Sequence, residues 1–93
     1  MIIHLDDDQA TVLADADRAP LMSARSKRHP SERCWISTRL GEHTLEHDAH
    51  DVARCVRDGL LAVTPAHSVA ITEHGRDALN RYRFDRRPVE IAA

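Results

Sequence analysis

The sequence predicts a small α+β domain with about three helices and a two- or three-stranded antiparallel sheet. Its 93 residues suffice for a single domain, which we expect to span residues 1–93. Trp35, Tyr82 and Phe84 are the only aromatic residues. The core must therefore consist of Leu, Val, Ile and Ala, which suits helices packed on a small sheet. Residues 52–83 read as a helix, a glycine stop, a strand hairpin around a proline and a second helix.

The first helix is predicted to begin after Asp6 or Asp7 and to end before Pro20. Either carboxylate can accept a hydrogen bond from a free backbone N–H at the helix start. Proline cannot donate a backbone hydrogen bond, so Pro20 ends the helix. The predicted apolar stripe consists of Val12, Leu13 and Ala16, with Gln9 and Asp15 outside it.

The next segment is basic and weakly periodic. Residues 18–39 hold six basic residues against Glu32 alone, whereas residues 1–17 hold five acids and no base. Residues 20–33 contain two prolines, so we expect a basic loop there. A solvated loop and a phosphate-binding segment are both compatible with this composition.

Two short extended pieces are predicted before the second helix. Residues 34–37 are expected to form a strand, and residues 44–46 a second extended piece. Trp35 lies on the first of these, where it can fill the core or anchor a partner. We expect the core role, because the chain has so few other large residues.

The second helix is predicted to begin at Asp48 and to end before Gly59. Asp48 is the expected N-cap, and Asp51 can complete a capping box with it. Glycine at the end of this segment suits the left-handed residue that closes many helices. The predicted apolar face consists of Leu45, Ala49, Val52 and Val56.

A hairpin and a third helix are predicted to follow. Residues 60–63 and 68–71 form the two strands, and Pro65 presets a dihedral angle of the turn between them. Thr72 is the expected N-cap of the last helix. Residues 85–93 are predicted to be a tail.

Two motifs in this region resemble those of a known family. V-x-x-x-V-x-D-G-L-L begins at Val52, and I-T-E-H-G-R-D-A-L begins at Ile71. Mainly over residues 45–83, the chain resembles winged-helix transcriptional regulators, especially the compact MarR-like and PadR-like domains. The resemblance implies a recognition helix at about 48–58, which enters the major groove, and a wing at about 60–71.

The chain departs from that family in two places. The helix that should precede the recognition helix is not evident, and a Trp-bearing strand is predicted in its place. In the wing only His67 can approach a phosphate, whereas a phosphate-binding wing usually carries Arg or Lys.

The resemblance predicts a DNA-binding transcriptional regulator that binds double-stranded DNA as a homodimer. Arg54 can read a guanine edge, and the basic loop can add phosphate contacts. The predicted DNA-binding residues are His50, Arg54, Arg57, Arg25, Lys27 and Arg28. The closing helix is expected to bury Leu79 and Tyr82 against the partner copy.

The alternative is a non-enzymatic protein–protein interaction module on a winged-helix frame, such as a small phage-type inhibitor or accessory protein. The uncharged wing and the mixed charges of the recognition helix favour it. The acidic first helix would then bind a basic protein partner.

Catalytic, metal-binding and membrane functions are not expected. A metal site is the weaker interpretation of one histidine cluster, and solvated histidines are the stronger. The cluster consists of His43, His47, His50 and Asp51, with Cys34 or Cys55 as a further ligand. No motif marks a nucleophile or a phosphate loop, and no cofactor is predicted. The chain shows no signal peptide, no apolar stretch near ~20 residues and no disulfide framework, which predicts a cytoplasmic protein.

Overall fold

The computed structural model describes residues 5–39 and 44–86, which form three helices and five strands. In chain order these are α1 (Asp7–Arg18), β1 (Leu21–Arg25), β2 (Arg33–Ser37), β3 (His47–Asp48), α2 (Ala49–Arg57), β4 (Leu61–Val63), β5 (Ser68–Ile71) and α3 (Glu73–Arg86). The α+β class and the three helices are confirmed. The sheet has five strands where two or three were expected. None of the described helices is long and apolar enough to cross a membrane.

All five strands belong to one antiparallel sheet of order β3-β2-β1-β5-β4. Strand β1 pairs with β2 along its whole length, from Leu21 opposite Ser37 to Arg25 opposite Arg33. It pairs with β5 only at its first two residues, where Leu21 lies opposite Val69. The second half of β1 therefore extends beyond β5 and is paired with β2 alone.

The prediction of a loop over residues 20–33 was wrong at Leu21–Arg25, which form the central strand. Leu21 is fully buried in the core. Strand β1 is short, and its pairing partner β5 lies far along the chain, so local periodicity does not reveal it. Residues 26–32 connect β1 to β2 and are the only part of the predicted loop between strands.

The core lies between the sheet and the helices, with α1 in contact with both α2 and α3. Each of its larger side chains stabilises the fold by about 1.5–3 kcal/mol through burial. The most deeply buried residues are Val12, Leu13, Leu21, Val52, Cys55, Leu60, Leu61, Val69 and Leu79. Trp35 is half-buried and packs against this cluster, in agreement with the core role expected for it.

Helix α1 begins where the sequence predicts. Asp6 is its N-cap, and the carboxylate accepts the Gln9 backbone N–H at 2.8 Å in a reciprocal capping box. Gln9 was expected outside the apolar stripe, but its side chain is buried. The Gln9 amide donates to the Asp58 carboxylate at 3.4 Å, which satisfies the buried polar group.

Helix α2 has the predicted N-cap but a different apolar face. Asp48 accepts the His50 backbone N–H at 2.7 Å. The predicted face extended back to Leu45 and Ala49, and both of these residues are exposed because the helix begins only at Ala49. Val52 and Cys55 are the helix residues buried in the core.

Short extended pieces precede α2 instead of a helix. Residues 34–37 lie in β2, as predicted. The second extended piece is β3, at His47–Asp48 rather than at residues 44–46. Within residues 21–39 and 44–48, the segment before the predicted recognition helix contains strands and turns and no helix.

The β4–β5 hairpin and the start of α3 also follow the prediction. Gly59 closes α2 in the left-handed conformation, with φ of 75°. The Thr72 hydroxyl accepts the Gly75 backbone N–H at 2.9 Å and so caps α3. A Cβ on Gly75 would lie 2.1 Å from the Leu60 carbonyl oxygen, so only glycine lets α3 approach β4 this closely. The predicted tail begins later than expected, because α3 continues to Arg86; residues 87–93 lie outside the described residues.

Candidate nucleic-acid interface

Three surface segments meet at one end of the sheet. Because β1 runs antiparallel to both β2 and β5, the β1–β2 connection lies at the same end as the β4–β5 turn, residues 64–67. Strand β3 also ends there, with Asp48 opposite Cys34, and α2 begins at once. The topology therefore places the predicted wing, the start of the predicted recognition helix and the basic segment side by side.

The basic segment forms a compact hairpin end, which we call the basic tip (residues 25–33). It contains four basic residues and one acid, Glu32. All four cationic side chains are exposed: Arg25, Lys27, Arg28 and Arg33. Arg33 was not among the predicted site residues, although it belongs to the same basic run.

Ser26 is the one buried residue of the basic tip, and it organises the turn. Its hydroxyl oxygen accepts the backbone N–H groups of Arg28 at 3.2 Å and His29 at 3.1 Å. The Ser26 hydroxyl donates to a Glu46 carboxylate oxygen at 2.6 Å. These bonds give the backbone of the tip a defined conformation.

Glu46 ties the basic tip to the segment that leads into α2. One carboxylate oxygen accepts the Ser26 hydroxyl, and the other accepts the Lys27 backbone N–H at 2.9 Å. The Ser26 hydrogen bond, followed by that from Lys27, lowers the pKa of the Glu46 carboxyl below its usual value. Glu46 therefore stays ionised at neutral pH, and it was not singled out in the sequence.

The predicted DNA-binding residues occupy three separate places. Arg25, Lys27 and Arg28 lie in the basic tip. His50 is exposed in the first turn of α2, at the same end of the sheet. Arg57 is 73% exposed but lies about two turns further along α2, beside the Asp58 carboxylate at 3.5 Å.

Arg54 is held by two carboxylates inside the molecule. Its Nη2 lies 2.7 Å from the Asp6 carboxylate and 3.3 Å from that of Asp51. Only 27% of the side chain is exposed. The Asp6 hydrogen bond raises the pKa of the Arg54 guanidinium. Arg54 thus joins the start of α1 to α2, and a contact with a guanine edge would require these ion pairs to break.

The histidine cluster does not come together around an ion. His47 is 4% exposed, and its Nε2 lies 2.7 Å from the Asp15 carboxylate on α1. His50 is exposed, and His43 lies outside the described residues. Within residues 5–39 and 44–86 there is no group of three or more metal-ligating side chains that could hold a metal ion.

Both cysteines are free and buried. Burial is the main cause that raises the pKa of the Cys34 thiol, and it raises the pKa of the Cys55 thiol to about 12. Both thiols therefore stay protonated at neutral pH, whereas a cysteine nucleophile reacts as the thiolate.

A second surface lies between α1 and α3. Leu79, expected in a dimer interface, is buried in the core of its own chain. Tyr82 is half-buried, and its hydroxyl donates to the Asp7 carboxylate. Leu45, which is 54% exposed, lines a hollow on this surface, and Phe84 of α3 is 75% exposed. The residues expected to bury a partner are therefore occupied within the chain, and different ones are exposed.

The chain matches no protein-family model, no curated protein and no solved structure. The winged-helix resemblance thus rests on the motifs and on the order of elements from α2 to α3, and it stays a prediction.

Proposed function

We propose that the protein is a winged-helix DNA-binding regulator whose duplex-facing surface is the end of the sheet described above. One observation carries the proposal: four exposed cations of the basic tip lie beside the start of α2 and the β4–β5 turn. In a duplex bound there, the phosphates would contact the tip and the bases would contact the exposed face of α2.

Phosphate neutralisation supplies most of the affinity in this proposal. Each phosphate contact by Lys or Arg changes the slope of log K against log salt by about −0.9, so four contacts would make binding strongly salt-dependent. The whole chain has a net charge of −2, so the attraction must come from the local excess of cations. The proposal therefore depends on the tip being close to the duplex.

The acidic start of α1 lies away from this surface. Gln9 contacts Asp58, which follows the last turn of α2, and Asp6 pairs with Arg54. The end of α2 that adjoins the basic tip is the opposite one, capped by Asp48. A duplex at the tip would thus lie away from Asp58, whereas Glu32, Glu46 and Asp48 line the cleft between the tip and the start of α2.

Residues in the first half of α2 would contact the base edges. Recognition helices contact base edges with residues near their N-terminus. His50 and Ala53 are exposed there, and the His50 imidazole can donate to a base or to a phosphate. Because Arg54 is ion-paired within the chain, it contributes less to base reading than the sequence predicts.

Fluorescence anisotropy tests the proposal with two labelled duplexes, one from the region upstream of the protein's own gene and one of scrambled sequence, at 50 and 200 mM salt. We expect binding to both at low salt and a preference for the upstream duplex that survives at high salt. The absence of any anisotropy change at 50 mM salt would contradict DNA binding. Equal affinity for both duplexes would contradict the regulator.

A protein-interaction function is the second candidate, and the surface between α1 and α3 favours it. Leu45 and Arg83 line a shallow hollow together with the α1 carboxylates Asp15 and Asp17. An exposed apolar side chain surrounded by charges is a common arrangement at a protein interface. Light scattering on the wild type and on Leu45→Ser tests for a homodimer: a wild-type dimer that becomes a monomer in the variant would place the partner on this surface.

A further inference from the structure

The β1–β2 hairpin end holds charges that would bind a polyanion more tightly if they were kept in place. Lys and Arg side chains are flexible, and ordering them on a ligand costs conformational entropy. A backbone that already has its bound conformation lowers that cost. A group that fixes the position of the basic tip relative to α2 would therefore strengthen binding.

Glu46 is the group that makes this connection. It lies two residues before Asp48, the N-cap of α2, and its two carboxylate oxygens accept from Ser26 and Lys27 at the other side of the contact. One side chain thus joins the turn of the tip to the segment before the helix, in addition to the β2–β3 pairing of Cys34 with Asp48 at the base of the tip. Hydrogen bonds to a carboxylate are about twice as strong as those between neutral groups, so one carboxylate can contribute substantially to holding the two segments together.

We propose that Glu46 is a positioning residue for DNA binding: it holds the basic tip beside the start of α2, so that both contact one duplex at once. This inference rests on the proposed function. It assigns to an acidic residue a favourable effect on binding to a polyanion, which is the reverse of its direct electrostatic effect.

Positioning by Glu46 would strengthen duplex binding, whereas its negative charge would weaken it, so substitution of Glu46 can tell the two effects apart. Glu46→Gln removes one negative charge near the duplex, and electrostatics alone predicts tighter binding. It also replaces one of the two acceptor oxygens with an NH2 donor, which cannot accept from Ser26 or Lys27. If positioning dominates, Glu46→Gln weakens binding roughly fivefold despite the favourable change in charge.

Glu32→Gln is the matched control, because Glu32 is an exposed acid on the same tip and the substitution makes the same change in charge. We expect it to leave affinity unchanged or to raise it by up to about threefold. Anisotropy titrations of both variants at 50 mM salt, with circular dichroism to confirm folding, give the comparison. If Glu46→Gln binds as tightly as Glu32→Gln, Glu46 is only a nearby negative charge and the inference is overturned.

If Glu46→Gln does not fold, Ser26→Ala tests the same contact between the tip and Glu46. It removes the hydroxyl that bridges Glu46 to the turn and leaves every charge in place. We expect the same direction of effect, with binding weakened roughly threefold to tenfold. Wild-type affinity in this variant would contradict the inference.

A further combination separates positioning from a general loss of structure. In a Lys27→Ala/Arg28→Ala background only Arg25 and Arg33 remain as cations of the tip, so Glu46→Gln should weaken binding by a smaller factor than it does in the wild type. An undiminished weakening there would show that Glu46 acts through another part of the molecule, and would overturn the inference. If the wild type binds no duplex at all, the proposed function itself fails. Wild-type binding with unaffected variants would remove only the role of Glu46.

Discussion

The two hairpins at the same end of the sheet differ in how they are held and in what they expose. The start of the β4–β5 hairpin is held against α3 by the close approach of Gly75 to the Leu60 backbone and by the hydrogen bond from the Thr72 backbone N–H to the Leu60 carbonyl oxygen, and its turn exposes Pro65, Ala66 and His67. The basic tip of the β1–β2 hairpin is fastened through the side chains of Ser26 and Glu46, and it exposes four cations.

In this protein the hairpin in the wing position and the hairpin that carries the cations are two different elements. The β4–β5 hairpin occupies the place of a wing in the family that the chain resembles, yet it carries almost no charge. The β1–β2 hairpin occupies the place where that family has a helix, and it carries the cations. Four expected effects of substitution or pH test whether the two hairpins differ in this way.

The largest expected effect is on the free energy of unfolding, through the contact between Gly75 of α3 and Leu60, the residue before β4. Gly75→Ala places a Cβ against the Leu60 carbonyl oxygen, so backbone must move, and we expect a loss of about 3–5 kcal/mol in the free energy of unfolding. Urea denaturation measures it. Gly59→Ala is the control: nothing lies within 4 Å of its Cβ, and only the left-handed backbone is strained, which costs about 1–2 kcal/mol. Equal losses in the two variants would contradict the close-contact explanation.

The next effect is on DNA affinity and separates the two hairpins directly. Lys27→Ala/Arg28→Ala should weaken duplex binding roughly tenfold to fiftyfold at 50 mM salt and reduce the salt slope by about 1.8. His67→Ala in the β4–β5 turn should change affinity by less than about twofold. Anisotropy titrations at several salt concentrations measure both quantities.

Arg81→Ala/Arg83→Ala is the control for that experiment. It removes the same net charge from α3, whose second half lies near the start of α1, as the bond from Tyr82 to Asp7 indicates. We expect almost no change in the salt slope. If this variant and the tip variant lose affinity equally, the protein attracts DNA only through its overall charge.

A smaller effect distinguishes the structural and base-reading roles of Arg54. Arg54→Ala leaves the Asp6 and Asp51 carboxylates without their cation, and should lower the free energy of unfolding by about 1 kcal/mol, since both pairs are partly exposed to solvent. Arg57→Ala, on the same helix, should have no measurable effect on stability. If the folded Arg54→Ala variant loses its preference for the upstream duplex while Arg57→Ala retains it, the base-reading role predicted from the sequence is correct after all.

The smallest effect is a pH dependence confined to the basic tip. The folded protein holds the pKa of Glu46 below its usual value of 4.5. The contribution of Glu46 is therefore fully present above that value and is lost as the pH falls through the lower folded pKa. The Lys27 amide should show the NMR signature of a hydrogen bond at pH 6 and lose it only below pH 4.5, as Glu46 becomes protonated. In Glu46→Gln this change should be absent.

Much of the fold follows from local signals in the sequence. The caps Asp6, Asp48 and Thr72, the stop at Gly59 and the β4–β5 hairpin all lie where predicted, because each depends on residues within a few positions of itself. The basic composition of the tip is likewise visible in the sequence. These are features of backbone conformation and local charge, which neighbouring residues decide.

The features missed in the sequence depend on contacts between distant segments. Strand β1 forms only because β2 and β5 pair with it, and its five residues carry too little periodicity to predict alone. The sequence predicts Arg54 at the surface, whereas the tertiary structure pairs it with Asp6, which lies 48 residues earlier in the chain. The bond from Ser26 to Glu46 has the same origin. Local residue patterns thus account for the helices, their caps and the number of cations in each segment. Which charges are exposed and which are neutralised follows from the folded arrangement, because ion pairing depends on distance in space and not on distance along the chain.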